Sequence, residues 1–205
     1  MRKSLGFTLA EVLITLAIIG VVAAMTIPSV IVNTNQQEFK TGLKKAVSVL
    51  NQAITMNIAL ENVSPTDLTA DTYDVSKTDN LMGYLAQRLN IIKSTTLSNG
   101  ASQNLAFYTA DGMRFEFPAT VKGSMQKKNC GDGNRVKDST GKVLQPCLVL
   151  VDVNGDKRPN PPASGNYTVP LPESTRINDI FNIMITDSAA IPYGVVAQRT
   201  MFQND

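Results

Sequence analysis

Few side chains in this sequence could do chemistry, and the most informative one sits where a charge is least expected. Glu11 is the fifth residue of an apolar run from Phe7 to Val32, FTLAEVLITLAIIGVVAAMTIPSVIV. A carboxylate inside a bilayer costs at least ~2.5 kcal/mol on insertion scales, so a segment serving only as an anchor has no use for it. Elsewhere the chemistry is sparse. The 205 residues include no histidine, which removes the commonest general base and metal ligand. The chain has no glycine-rich phosphate loop of standard pattern, and no Ser or Cys nucleophile has a histidine to activate it. These features argue against an enzyme.

Two further groups have suggestive spacing. Asp152, Asn154 and Asp156 alternate oxygen side chains in the way calcium loops do, but the EF-hand pattern needs Gly at its sixth position and Glu at its twelfth. Here Gly155 is fourth and Ala163 twelfth, and Lys157 and Arg158 add repulsion. An Asx-type turn ending a strand is the favoured reading; calcium is the one cofactor candidate and none is expected. Cys130 and Cys147 are the only cysteines. On the exported side of a membrane such a pair reads as a disulfide, contributing ~3 kcal/mol in the chain-entropy model; the alternative is two buried thiols. Lys122, Lys127 and Lys128 read as a solvated loop, so no nucleic-acid partner is expected.

The elements that position these residues follow from periodicity. The run from Phe7 to Val32 is long enough to span a bilayer. Arg2 and Lys3 precede it and account for the whole formal charge of +2; by the positive-inside bias they hold that end in the cytoplasm and send the remainder outward. Gly20 and Pro28 lie within the run, and a proline there bends or locally softens a helix. Val22-Ala23-Ala24 offers a cleavage site for an ordinary signal peptide. The pattern instead continues as a helix: Phe39, Leu43, Ala46, Val47, Leu50, Ile54 and Ile58 share one face, opposite Gln36, Lys40, Lys44, Lys45, Ser48 and Gln52. Asn62 to Pro65 supplies the stop.

After a loop from Ser64 to Thr78, Asp79 is expected to cap a short helix carrying Leu81, Met82, Leu85, Leu89 and Ile92. The period then changes. Leu105 to Thr109 and Met113 to Phe117 flank Asp111-Gly112, a hairpin signal. Irregular loops are expected from Cys130 to near Cys147 and from Asn154 to Gly165. Leu148 to Val153, Ile180 to Thr186 and Tyr193 to Ala197 are further expected strands. The fold class is α+β: a long N-terminal helix, transmembrane and then amphipathic, packed on a small antiparallel sheet. Its divisions are a leader (1–6), a membrane or assembly helix (7–32), the amphipathic continuation (33–62) and a globular head (63–205).

Gly6-Phe7-Thr8-Leu9-Ala10-Glu11 resembles the class III signal of type IV prepilins and type II secretion pseudopilins. The resemblance covers about the first 35 residues. It implies cleavage by prepilin peptidase between Gly6 and Phe7, N-methylation of Phe7, and a role for Glu11 in assembly by pairing with the Phe7 amine of a neighbouring copy. Pro28, the twenty-second residue counted from Phe7, falls where many family members carry a helix-softening proline. The implied protein is a structural subunit of a pilus or secretion pseudopilus. Its partners would be the peptidase, copies of itself or other pilins in a helical filament, the inner-membrane assembly machinery and, before assembly, lipid. Its place would be the inner membrane, N-terminus cytoplasmic and head outside, and then the filament. The other reading is a secreted or membrane-anchored binding module with an ordinary signal peptide or anchor.

Overall fold

In a computed structural model the described residues are 6–68, 74–99, 102–117, 147–157 and 179–202. The chain divides into two compact units, Met1–Glu38 and Phe39–Asp205. Helix α1, Leu9–Glu61, contributes to both. Its helical backbone is continuous through Gly20 and Pro28.

In the first unit the side chains described from Leu9 to Met25 are exposed, Ala23 excepted, which is half-buried. Leu9–Pro28 is long and apolar enough to cross a membrane. Two hydroxyls within that stretch bond back to the helix: Thr15 Oγ1 donates to the Val12 carbonyl at 2.9 Å and Thr26 Oγ1 to that of Val22 at 3.0 Å. Such bonds matter where water is absent, since a lone polar group in hydrocarbon costs several kcal/mol.

In the second unit the expected apolar face of α1 is the buried one. Leu43, Ala46, Leu50 and Ile54 are fully buried, Phe39 and Val47 nearly so, and Ile58 packs at the margin. The spacing of three and four aims these side chains at the sheet, while Lys44, Lys45, Ser48 and Gln52 stay exposed. Asn62, with φ of 53°, ends the helix, its N–H donating to the Ile58 carbonyl at 3.1 Å. A 3₁₀ turn, Pro65–Asp67, follows, with Ser64 and Asp67 closing a capping box.

Next come α2 (Leu81–Ala86) and strands β1 (Ile91–Asn99), β2 (Ser102–Thr109), β3 (Arg114–Phe117), β4 (Cys147–Asp152), β5 (Ile180–Ile185) and β6 (Ala190–Tyr193), then α3 (Gly194–Phe202). The described strands form one antiparallel sheet in sequence order, β1 to β6. Its core face presents Phe107, Phe115, Val149, Val151, Phe181 and Ile183 to α1 and α2. Phe107 stacks on Phe115 with centroids 5.3 Å apart. The expected hairpin is present, with Gly112 at φ +85° in its turn.

Three expectations are corrected. Asn80, not Asp79, caps α2: its Oδ1 accepts from Gly83 N at 3.0 Å while its Nδ2 donates to the Asp74 and Lys77 carbonyls. An aspartate has no such donor. Ile92 belongs to β1 rather than the helix, because the chain turns at Gln87–Leu89 and β1 pairs along β2. Tyr193 to Ala197 is not a strand of its own: Tyr193 ends β6, Gly194 takes φ +85°, and the chain turns into α3, burying Ala197 and packing Val196 and Met201 against the core.

One contact fixes α1 against the sheet edge. The Asn51 side chain pairs with both backbone groups of Ala190 in β6, accepting from its N–H at 2.8 Å and donating to its carbonyl at 2.9 Å. A second network joins the end of α1 to α2. Asn57 donates to the Tyr84 carbonyl at 2.7 Å and accepts from Arg88 Nε at 2.7 Å, and Arg88 reaches Glu61 at 2.6 Å. Burial pushes the Tyr84 phenol up to about 12, with the Asn57 hydrogen bond opposing.

Candidate functional site

The N-terminal site lies in the first unit. Gly6 and Phe7 precede the helix, and Phe7 is 91% exposed. Thr8 stands at the N-cap of α1 and Glu11 three residues on, in its first turn. Together they close a reciprocal box: Glu11 Oε2 accepts from Thr8 N at 2.9 Å and from Thr8 Oγ1 at 2.8 Å, and Thr8 Oγ1 accepts from Glu11 N at 3.3 Å. This arrangement satisfies donors that a helix start leaves without intrahelical partners. It also places a negative charge at the positive end of the helix dipole. Thr8 is not among the residues singled out from sequence, although T-x-x-E ahead of an apolar run is a helix-start signature.

Gly20 and Pro28 both lie within the apolar stretch, and a Cβ built on Gly20 meets nothing within 4 Å. That open side leaves room for a close neighbour. Cys147 is buried at the start of β4. Cys130 lies outside the described residues.

In the head, Asp152 ends β4 and Asp156 follows in the turn. Asn154 N donates to Asp152 Oδ1 at 3.3 Å, the Asx-type turn expected from sequence. Both carboxylates converge on Arg114: Asp152 Oδ2 lies 3.0 Å from Nη2, and Asp156 Oδ1 contacts Nη1. Glu116 shares the same guanidinium at 2.7 Å. Tyr108 adds its hydroxyl, which donates to Asp156 at 3.0 Å. Among the described residues these acids thus meet a positive side chain, that of Arg114, and no cluster of three or more His, Cys, Asp or Glu offers itself to a metal. Arg114, Glu116 and Tyr108, expected only as strand residues, are likewise not among the candidate site residues named from sequence. The signal for two of them is present, since Arg114-Phe115-Glu116-Phe117 alternates charge and ring with the period of a strand.

The comparisons with known proteins bear on the first of these sites. Residues 1–27 match the family model described as the prokaryotic N-terminal methylation motif. The chain carries a prepilin-type signal. No curated protein and no solved structure matches the chain. The matched stretch includes the run from Gly6 to Glu11 and supports a pilin-like or pseudopilin-like protein. With the apolar helix behind it, the signal fits membrane anchoring.

Proposed function

We propose that this protein is a structural subunit of a type IV pilus or type II secretion pseudopilus. Prepilin peptidase cuts between Gly6 and Phe7, Phe7 becomes N-methylated, and the subunit waits in the inner membrane with its head outside. Assembly machinery then moves it into a filament of like helices. Gly20 and Pro28 soften the helix for that transfer, Cys130 and Cys147 staple the head, and the protein itself catalyses nothing.

The observation that carries this reading is Glu11, a carboxylate in the first turn of an exposed apolar helix that follows a prepilin-type signal. In a filament core the Phe7 amine of a neighbour would offset that charge, and removing one member of such a pair leaves a buried charge alone. The pairing would thereby fix the register of one subunit against the next.

The test is the start of the mature protein. Mass spectrometry of the membrane-bound form is expected to find Phe7 as the first residue, bearing an N-methyl group. A start at Met25, or an intact Met1, would overturn the proposal and favour a binding module carried on an ordinary signal peptide or anchor.

A further inference from the structure

The two edges of the sheet are finished differently. Among the described residues β1 and β6 are the outermost strands. β6 is four residues long, and its outward donors are spent. Asn51 takes the Ala190 N–H together with the Ala190 carbonyl, and Pro192, the next residue facing the same way, has no N–H to offer. Short length, a proline and a covering side chain are the devices that keep an edge from templating another strand.

β1 is finished otherwise. Its nine residues, Ile91–Asn99, include no proline and one charge, that of Lys93, whose ammonium lies 5.4 Å from the centre of the Tyr108 ring. The direction of its backbone groups follows from its neighbour. Thr109 N in β2 donates to the Met113 carbonyl at 3.0 Å, on the β3 side. By the alternation of an antiparallel ladder, Tyr108 and Ala106 then turn toward β1, where they meet Lys93 and Thr95. Ser94 and Thr96 therefore aim their N–H and C=O groups away from β2. Both residues are exposed, as are Lys93 and Ile92, the last of these by 67%.

This edge matches a second copy of itself. Antiparallel pairing that overlaps the whole of Ile91–Asn99 puts the two-fold axis at Thr95, setting Ser94 opposite the partner's Thr96 and Lys93 opposite the partner's Leu97. The outward groups of Ser94 and Thr96 then fall in register to exchange both bonds, hydroxyl side chains face one another, and no two lysines meet. The irregularity in the β1–β2 ladder, between Ile91 and Lys93, lies outside this central stretch. We propose that β1 is a docking edge for a second copy of this chain, the two heads joining antiparallel about Thr95 into one continuous sheet. Main-chain bonds along one edge make a small interface, so the dimer forms reversibly with concentration. The inference stands apart from the filament reading, which concerns the N-terminal helix.

Full-length protein in neutral detergent is followed by sedimentation velocity across a wide range of concentration. A monomer–dimer equilibrium is expected, and a monomer throughout would overturn the proposal. Thr96→Pro removes an outward N–H and leaves the bonds to β2 in place; it is expected to weaken the dimer by about tenfold or more. Thr96→Lys, which sets a charge on the same edge, is expected to do likewise and decides the matter if the proline variant does not fold. A dimer that survives in a folded Thr96 variant would overturn the proposal. Gly20→Leu, in the apolar helix, is expected to leave the dimer unchanged; its loss there, with retention in Thr96→Lys, would assign the association to the helices instead. Amide exchange of the wild type locates the contact: protection of the Ser94 and Thr96 N–H groups is expected to rise with concentration, and no rise would overturn the proposal.

Discussion

Replacing Asn51 tests how the long helix is held to the sheet. Its amide meets both backbone groups of Ala190, at 2.8 and 2.9 Å, and its second amide hydrogen returns to the Val47 carbonyl at 2.9 Å. Ala190 is 1% exposed, so water cannot readily replace the lost partner. Each buried backbone group left unsatisfied costs about 1–3 kcal/mol, and Asn51→Ala orphans two. The expected loss is about 2–6 kcal/mol, a large share of the 5–15 kcal/mol typical of a domain. Asn51→Asp keeps the acceptor for Ala190 N–H but sets an oxygen against the Ala190 carbonyl, so its loss should grow as pH rises and the carboxylate ionises. Denaturant unfolding of the full chain in detergent can be followed by tyrosine fluorescence, since there are five Tyr and no Trp. A loss below about 0.5 kcal/mol for Asn51→Ala would refute the reasoning, because it would mean that the pairing with Ala190 adds nothing beyond what solvent supplies.

Other perturbations separate the remaining roles. Leu50→Ala, at a fully buried position on the same helix, should cost about 2–5 kcal/mol without the pH dependence of Asn51→Asp, checked in the same unfolding assay. Raising the pH from about 10 to 12 should destabilise the head, because Tyr84 keeps its proton in the folded state while the unfolded chain gives it up; Tyr84→Phe should lessen that dependence in an alkaline unfolding series. Glu11→Gln keeps an acceptor for Thr8 and removes the charge, so signal cleavage should persist while filament yield falls; normal yield on electron micrographs would sink the pairing role. Thiol titration of the unfolded, unreduced protein should find no reactive cysteine, and two after reduction.

The helix was legible because its cause is local. Phe39 to Ile58 repeats at three and four, and no other arrangement buries that face. The hairpin was legible for the same reason, through Asp111-Gly112. β1 was not, since its stretch Lys93-Ser94-Thr95-Thr96 lacks an apolar face to alternate and becomes a strand only by pairing with β2. Tyr193 to Ala197 misled because a short apolar run has no period of its own; Gly194 and the packing of Ala197 decide it. At the N-terminal site Gly6, Phe7 and Glu11 were readable as a motif. The acids of the DVNGD run were visible too, but not their partner. Arg114 lies 38 residues before Asp152 in the chain, and only the β3–β4 register brings them together.

The box that opens α1 also bears on the order of events at the membrane. With residues 1–6 attached, the nitrogen of Phe7 is an uncharged amide and the first helical turn carries only the Glu11 carboxylate. Cleavage would release a cation beside a helix end whose dipole is already positive, while the carboxylate within its own chain stays engaged by Thr8. Proteolysis would thus turn a self-satisfied helix start into one with a surplus charge and no vacant acceptor of its own. On the proposed reading, the cut itself would give the chain a reason to seek a second copy.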